Sequence, residues 1–142
     1  MRKSARAILI TKEGKLLLMK RTKPDGEYYV TIGGGIEDGE TSEQALLREL
    51  KEESGSIVDE VVFAFHHENV DWQTSIDFFT CKEIGRIAPT GAEWTKFNKP
   101  DNQYELVEVS VDEIKNLPLK PQEIKDKLIG SSKNNKKIVI TL

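Results

Sequence analysis

A chain of 142 residues, 37% apolar and 32% charged, has the size of one compact domain and enough apolar side chains for one core, so a single domain over residues 1–142 is expected. Its 24 acidic and 21 basic residues leave a formal charge of -3; this excludes the global positive field of a nucleic-acid or membrane-surface binder, and a small anionic ligand would need local countercharge. The lone Cys81 excludes an internal disulfide and a cysteine-built zinc cluster, and the N-terminal apolar stretch is too short for a signal-peptide core or, like every other run, for the ~20 residues that span a bilayer, so the expected location is the cytoplasm, with no membrane partner.

Residues 5–11 and 15–20 are apolar, β-compatible runs joined by Lys12, Glu13 and Gly14, and together they read as an opening hairpin. Lys23-Pro24-Asp25-Gly26 has the composition of a turn, and residues 28–32 follow as a short strand. Gly33, Gly34 and Gly35 then read as a loop of bare backbone that can turn sharply or approach a ligand. Residues 41–54 become helical: Thr41 or Ser42 can cap the start, and Gly55 stands where helices stop. Residues 57–69 and 74–83 read as antiparallel strands connected around Asp71, Trp72 and Gln73. Residues 85–103 hold two prolines and mixed charge, a long loop of the kind that carries function in a compact domain. Residues 104–109 read as a strand, 112–116 as a short helix and 121–129 as a helix with proline in its first turn. Residues 130–137 form a polar linker, and 138–142 are β-prone, able to add an edge strand here or on a second copy, so a homodimer is an expectation.

The chemistry concentrates in the first helix. At about 100° per residue, Glu49, Glu52 and Glu53 fall within one arc of about 100°, and Leu46, Leu47 and Leu50 form a separate arc for packing on a sheet. Ala45, one turn before Glu49, leaves room above the carboxylates. Three neighbouring negative charges are unfavourable unless neutralised. A hard divalent cation, Mg2+ or else Mn2+, takes oxygen ligands and shares them with substrate phosphates. A glutamate-rich helix by itself is more often solvated surface, so the neighbouring residues decide. The glycine run is not a P-loop, which needs a lysine and a hydroxyl, nor G-x-G-x-x-G, whose third glycine would fall at Asp38.

Residues 34–56 resemble the box of the Nudix hydrolase family (MutT-like), G-x(5)-E-x(7)-R-E-U-x-E-E-x-G-U, where U is a bulky aliphatic. Gly34, Glu40, Arg48, Glu49, Leu50, Glu52, Glu53 and Gly55 match in register. Ser56 stands where an aliphatic is expected, which implies looser packing there, and Ile32 stands where many members have proline. The resemblance implies an α/β fold, a Nudix-type α/β/α sandwich with a mixed β-sheet. It implies metal held by Glu49, Glu52 and Glu53 with the carbonyl of Gly33 or Gly34, and an ion pair of Glu40 with Arg48 that ties loop to helix. The implied reaction is Mg2+-dependent hydrolysis of a phosphoanhydride bond in a small nucleotide-like, nucleoside-diphosphate-linked substrate, contacted by Gly34 and Gly35. The general base in such proteins comes from the helix or from a distant glutamate; Glu93, Glu105 and Glu108 are candidates, with Glu93 preferred because it lies in the long loop near Asn102-Gln103-Tyr104, which resembles a segment found in part of the family.

Outside the box, Lys20 and Arg21 follow the second strand, and Arg21 sits close to where some relatives bind phosphate; surface solubility explains both equally well. Tyr28, Tyr29, Trp72 and Trp94 could stack on a base or serve as hydrophobic cover. His66 and His67 alternate in a strand and receive no role. Three rival readings remain: a Nudix-fold binding or regulatory module without turnover, an isoprenoid-diphosphate isomerase relying on Cys81, and action on RNA through the basic segment 133–137.

Overall fold

The computed structural model describes residues 1–71, 73–88 and 99–132. The strands are β1 Arg2–Ile10, β2 Leu16–Lys23, β3 Gly26–Gly35, β4 Ser56–Asn69, β5 Thr74–Arg86, β6 Gln103–Val109 and β7 Leu119–Lys120; the helices are α1 Ser42–Glu53, α2 Val111–Ile114 and α3 Gln122–Ser132. They form one mixed sheet, with β1 parallel to β5, β3 parallel to β7, and the remaining pairs antiparallel. Trp72, Glu93, Trp94 and the segment 133–142 lie outside the described residues.

Strand alternation divides the core into two layers. Ala5, Ala7 and Leu9 of β1, Leu17 and Met19 of β2, and Phe79 and Cys81 of β5 face Ala45, Leu46 and Leu50 of α1. Their neighbours in sequence, Ile8, Leu16, Leu18, Tyr29 and Phe78, face Ile114 of α2 and Ile124 of α3. The sandwich follows from apolar residues standing at both parities of the inner strands, so that each face of the sheet requires a helix.

Three expectations change. The opening hairpin is splayed: β1 and β2 meet only at Ile10 and Leu16, while β1 runs in register with β5 from Arg2 to Ile10. The glycine run is strand, not loop. β3 pairs with β2 up to Thr31 and then passes to β1, where Ile32, Gly33, Gly34 and Gly35 oppose Ala7, Arg6, Ala5 and Ser4. The missing side chains let β3 lie close to β1 as it changes partner, and a Cβ on Gly33 would collide with the Ala5 carbonyl. Finally, Ala45 is fully buried against the sheet whereas Leu47 is 44% exposed, so the apolar arc of α1 is centred on Ala45, Leu46 and Leu50, and Ala45 leaves no open space above the carboxylates.

This division fixes an expected contrast. Leu50→Ala removes a fully buried side chain and should cost about 2–5 kcal/mol, whereas Leu47→Ala should stay within about 0.5 kcal/mol; urea unfolding of the two variants measures both.

Candidate active site

The helix carrying the carboxylates is fixed at both ends by its own sequence. Thr41 is the N-cap, accepting from the Gln44 backbone N–H at 3.1 Å while the Gln44 side chain accepts from the Thr41 N–H at 2.9 Å. At the other end Gly55 adopts φ +70°, and its N–H reaches the Leu50 carbonyl at 2.9 Å. Ser42 Oγ donates to Asp77 Oδ2 at 2.6 Å, tying the first turn of α1 to β5.

Arg48 organises the acidic face. Its Nε and Nη2 grip Glu40 at 2.8 and 2.9 Å, and Nη2 also donates to the Gly35 carbonyl at 3.0 Å. The loop-to-helix pair expected from the sequence is therefore present and bidentate, and it holds the Glu40 carboxyl down at about 2. The remaining nitrogen, Nη1, contacts Glu49 at 3.0 Å and Glu52 at 3.3 Å. Among the described residues no three acidic, histidine or cysteine side chains close on a common point; two of the helix carboxylates bond this guanidinium.

Glu49 and Glu53 meet the glycine strand. A Cβ on Gly34 would stand 2.6 Å from Glu49 Oε1, so glycine is the only residue that lets this carboxylate lie flat on β3. Burial, then the neighbouring Glu49, pushes the Glu53 carboxyl up to about 7, against the pull of Arg6 and a hydrogen bond from the Gly33 backbone. The donor set is all oxygen, crowded and partly desolvated, which suits a hard divalent cation better than protons or water. The box pattern over residues 34–56 is thus matched by geometry: Glu40 on Arg48, Glu49 on Gly34, and Gly55 ending the helix.

A model of the NUDIX domain matches residues 1–129. The chain belongs to the Nudix family. An ADP-ribose pyrophosphatase of Methanocaldococcus jannaschii is 46% identical over 50 residues, 34% of this chain and 30% of that protein. An RNA pyrophosphohydrolase of a Wolbachia strain from Brugia malayi is 40% identical over 65 residues, 46% of this chain and 37% of its own length. The aligned stretches thus cover well under half of these curated relatives. In fold, the chain is similar to a MutT structure from work on Aliivibrio salmonicida and Vibrio cholerae, with a TM-score of 0.65, 23% identity and coverage of 92% and 97% of the two chains.

Within this Nudix frame, alternation sorts the remaining candidates. Arg21 shares the parity of Leu17 and Met19 and so lies on the α1 face of the sheet. It lies 3.6 Å from the centre of the Tyr104 ring, and Nη2 donates to Asn102 Oδ1 at 3.0 Å. Tyr104 borders a cleft of about 580 Å³ shared with Thr22, Lys99, Pro100, Gln103 and Glu105. Lys20 has the other parity and pairs with Glu27 at 3.2 Å. Tyr29 is core, whereas Tyr28 is half-buried, with Lys120 Nζ 4.3 Å from its ring centre. Glu105 shares the parity of Val107 and Val109 on the α2 and α3 face. Glu108 is on the α1 face but lies 3.9 Å from Arg86, in a cleft with Lys12, Glu13 and Glu83. Cys81 is buried in the core among Ala7, Leu9 and Leu46, and burial pushes its thiol up to about 12; it is packed as a small apolar side chain, which gives the isomerase reading no support.

Two features escaped the sequence. Arg6, in the middle of an apolar strand, donates to the Thr31 carbonyl at 2.6 Å and has Glu53 and Glu49 as its foremost opposite charges. The departure at Ser56 does not loosen the packing; it introduces a buried polar chain. Ser56 Oγ donates to Glu83 at 2.6 Å and lies 2.8 Å from Ser54 Oγ, which donates to the Leu50 carbonyl, while Arg86 clasps Glu83 at 2.9 and 3.0 Å. A glutamate three residues before an arginine in β5 was the signal available.

Placing the family's aliphatic at this position should therefore harm the chain: Ser56→Val removes the hydroxyl that donates to a carboxylate only 8% exposed, leaving Arg86 as its partner, and should cost about 1–3 kcal/mol in urea unfolding. A second expectation concerns His66, whose Nδ1 meets Asp77 at 2.7 Å and Nε2 meets Glu68 at 3.2 Å. These hydrogen bonds raise its pKa, so its contribution is complete below about pH 6.5 and is lost as pH rises through the raised folded-state value. The melting temperature should fall as pH rises from about 6.5 through that raised folded-state value, and by less in His66→Gln.

Proposed function

We propose that the chain is a hydrolase that uses Mg2+, or Mn2+ in its place, to cleave a phosphoanhydride bond in a small nucleotide-like substrate with a nucleoside-linked diphosphate. The observation that carries this reading is the packing of Glu49 against bare Gly34, with Glu53 held at the neighbouring Gly33. Glu49, Glu52, Glu53 and the Gly33 carbonyl would hold the cation, with Arg48 Nη1 releasing Glu49 and Glu52 while its other two donors stay on Glu40. A bound divalent cation supplies Lewis-acid polarisation of the phosphoryl oxygens and activation of water.

The chain's own residues supply orientation. Gly34 and Gly35 present backbone to the phosphates without side-chain obstruction. Arg21 lies on the same face, and its guanidinium stacks on Tyr104 at the border of the cleft, where its charge would offset that of a substrate diphosphate. For the proton acceptor we retain Glu93, because Glu105 belongs to the other face and Glu108 neighbours Arg86. We place the enzyme in the cytoplasm, where its lone buried cysteine stays reduced; among the described residues no helix is long and apolar enough to cross a membrane.

The relatives' names suggest the panel: ADP-ribose, a 5′-triphosphorylated RNA and nucleoside triphosphates, assayed for phosphate or monophosphate release with Mg2+. At least one should be turned over, and Glu53→Gln should lower kcat/KM roughly 10²–10³-fold, the value of several kcal/mol of lost transition-state stabilisation. If parent and variant are equally inert on every compound while ligand still binds, the chain is a Nudix-fold binding module instead.

A further inference from the structure

We propose that Arg6 is a built-in countercharge of the carboxylate cluster, limiting how tightly the site takes divalent cations; this rests on the metal-site reading above. In sequence Arg6 interrupts Ala5, Ala7, Ile8 and Leu9, all of which are buried. A guanidinium held inside such a strand loses hydration, so its position requires compensating partners.

The partner change of β3 supplies them. Arg6 stands in register with Gly33, and its stem runs along that glycine: a Cβ there would lie 2.7 Å from Arg6 Cγ. Nη1 is anchored on the Thr31 carbonyl at 2.6 Å, so the charge is fixed at the point where the strand leaves β2. Arg6 has the parity of Ile8 and meets Gly33, while Glu49 meets the next residue, Gly34, from the α1 side, so the two charges face each other across the bare backbone of β3; Glu53 and Glu49 are the opposite charges that act on Arg6 most strongly. Unlike Arg48, which bonds the helix carboxylates directly and can let go, Arg6 is held by a backbone carbonyl and keeps its place whether or not a cation arrives. A fixed positive charge one strand residue away from the Glu49 contact repels every divalent ion entering the cluster. It also leaves one unit of positive charge beside the phosphates that no chelator removes.

Manganese binding to the full chain, followed by electron paramagnetic resonance, tests this apart from turnover. Measured at about pH 8.5, where losing the pull of Arg6 no longer decides whether Glu53 is ionised, Arg6→Met, neutral and of similar length, should bind Mn2+ about tenfold or more tightly, or take an additional equivalent, whereas Arg6→Lys should stay close to the parent. A merely structural role predicts the opposite sign, since a disturbed β1 would weaken the site. If Arg6→Met loses its cooperative thermal transition, Arg6→Gln decides by the same criterion. Unchanged or weaker Mn2+ binding in the folded neutral variant overturns the proposal. Glu53→Gln separates the two layers of inference: if it binds Mn2+ as the parent does, the metal site itself fails, and if it loses Mn2+ while the Arg6 variants match the parent, only the countercharge fails.

Discussion

Glu49 lying against the bare backbone of Gly34, beside Glu53 at Gly33, is the contact around which this molecule is arranged. It requires a strand without side chains, a helix laid across it at close range, and charges that tolerate partial burial. The partner change of β3 provides the first and the capped ends of α1 the second. The third is the costly one, because carboxylates removed from water repel each other more strongly than exposed ones do. Two arginines share that load from different sides: Arg48 along the helix, through direct hydrogen bonds, and Arg6 from within the sheet. The site is therefore an electrostatic balance whose members come from β1, β3, α1 and the segment that joins β3 to α1.

The helix was legible because it is local. Capping box, carboxylate spacing and terminating glycine all lie within fifteen residues and follow helical geometry. The Glu40 to Arg48 pair was reachable only through the resemblance, since nothing in the spacing alone brings residue 40 to residue 48. The sheet was half legible. Alternation identified the strands, but the splayed hairpin and the parallel pairing of β1 with β5 depend on contacts more than sixty residues apart, which short-range pattern does not encode. The glycine run illustrates the same limit: its composition fits a loop, and only β1 as a partner makes it a strand.

Side-chain roles followed that division. Arg21 and its neighbour Lys20 are separated only by strand parity, because consecutive residues in a strand face opposite layers. Arg6 carried a signal, a charge within an apolar strand, whose meaning required the neighbouring glycines to be in place. Ser56 looked like a defect in an otherwise regular box, yet with Glu83 and Arg86 it forms a consistent polar alternative to the aliphatic plug.

The course of β3 has a mechanical consequence. One continuous strand carries Tyr28 beside Arg21 at one end and Gly33 beside the acidic helix at the other, so the spacing between the two is counted in residues of a single extended segment. Five steps at about 3.3 Å each give a reach of at most ~17 Å. β3 thereby sets the distance from Arg21 to the acidic helix by its own length, and adding or removing one residue would both change that distance and turn the following side chains to the opposite face.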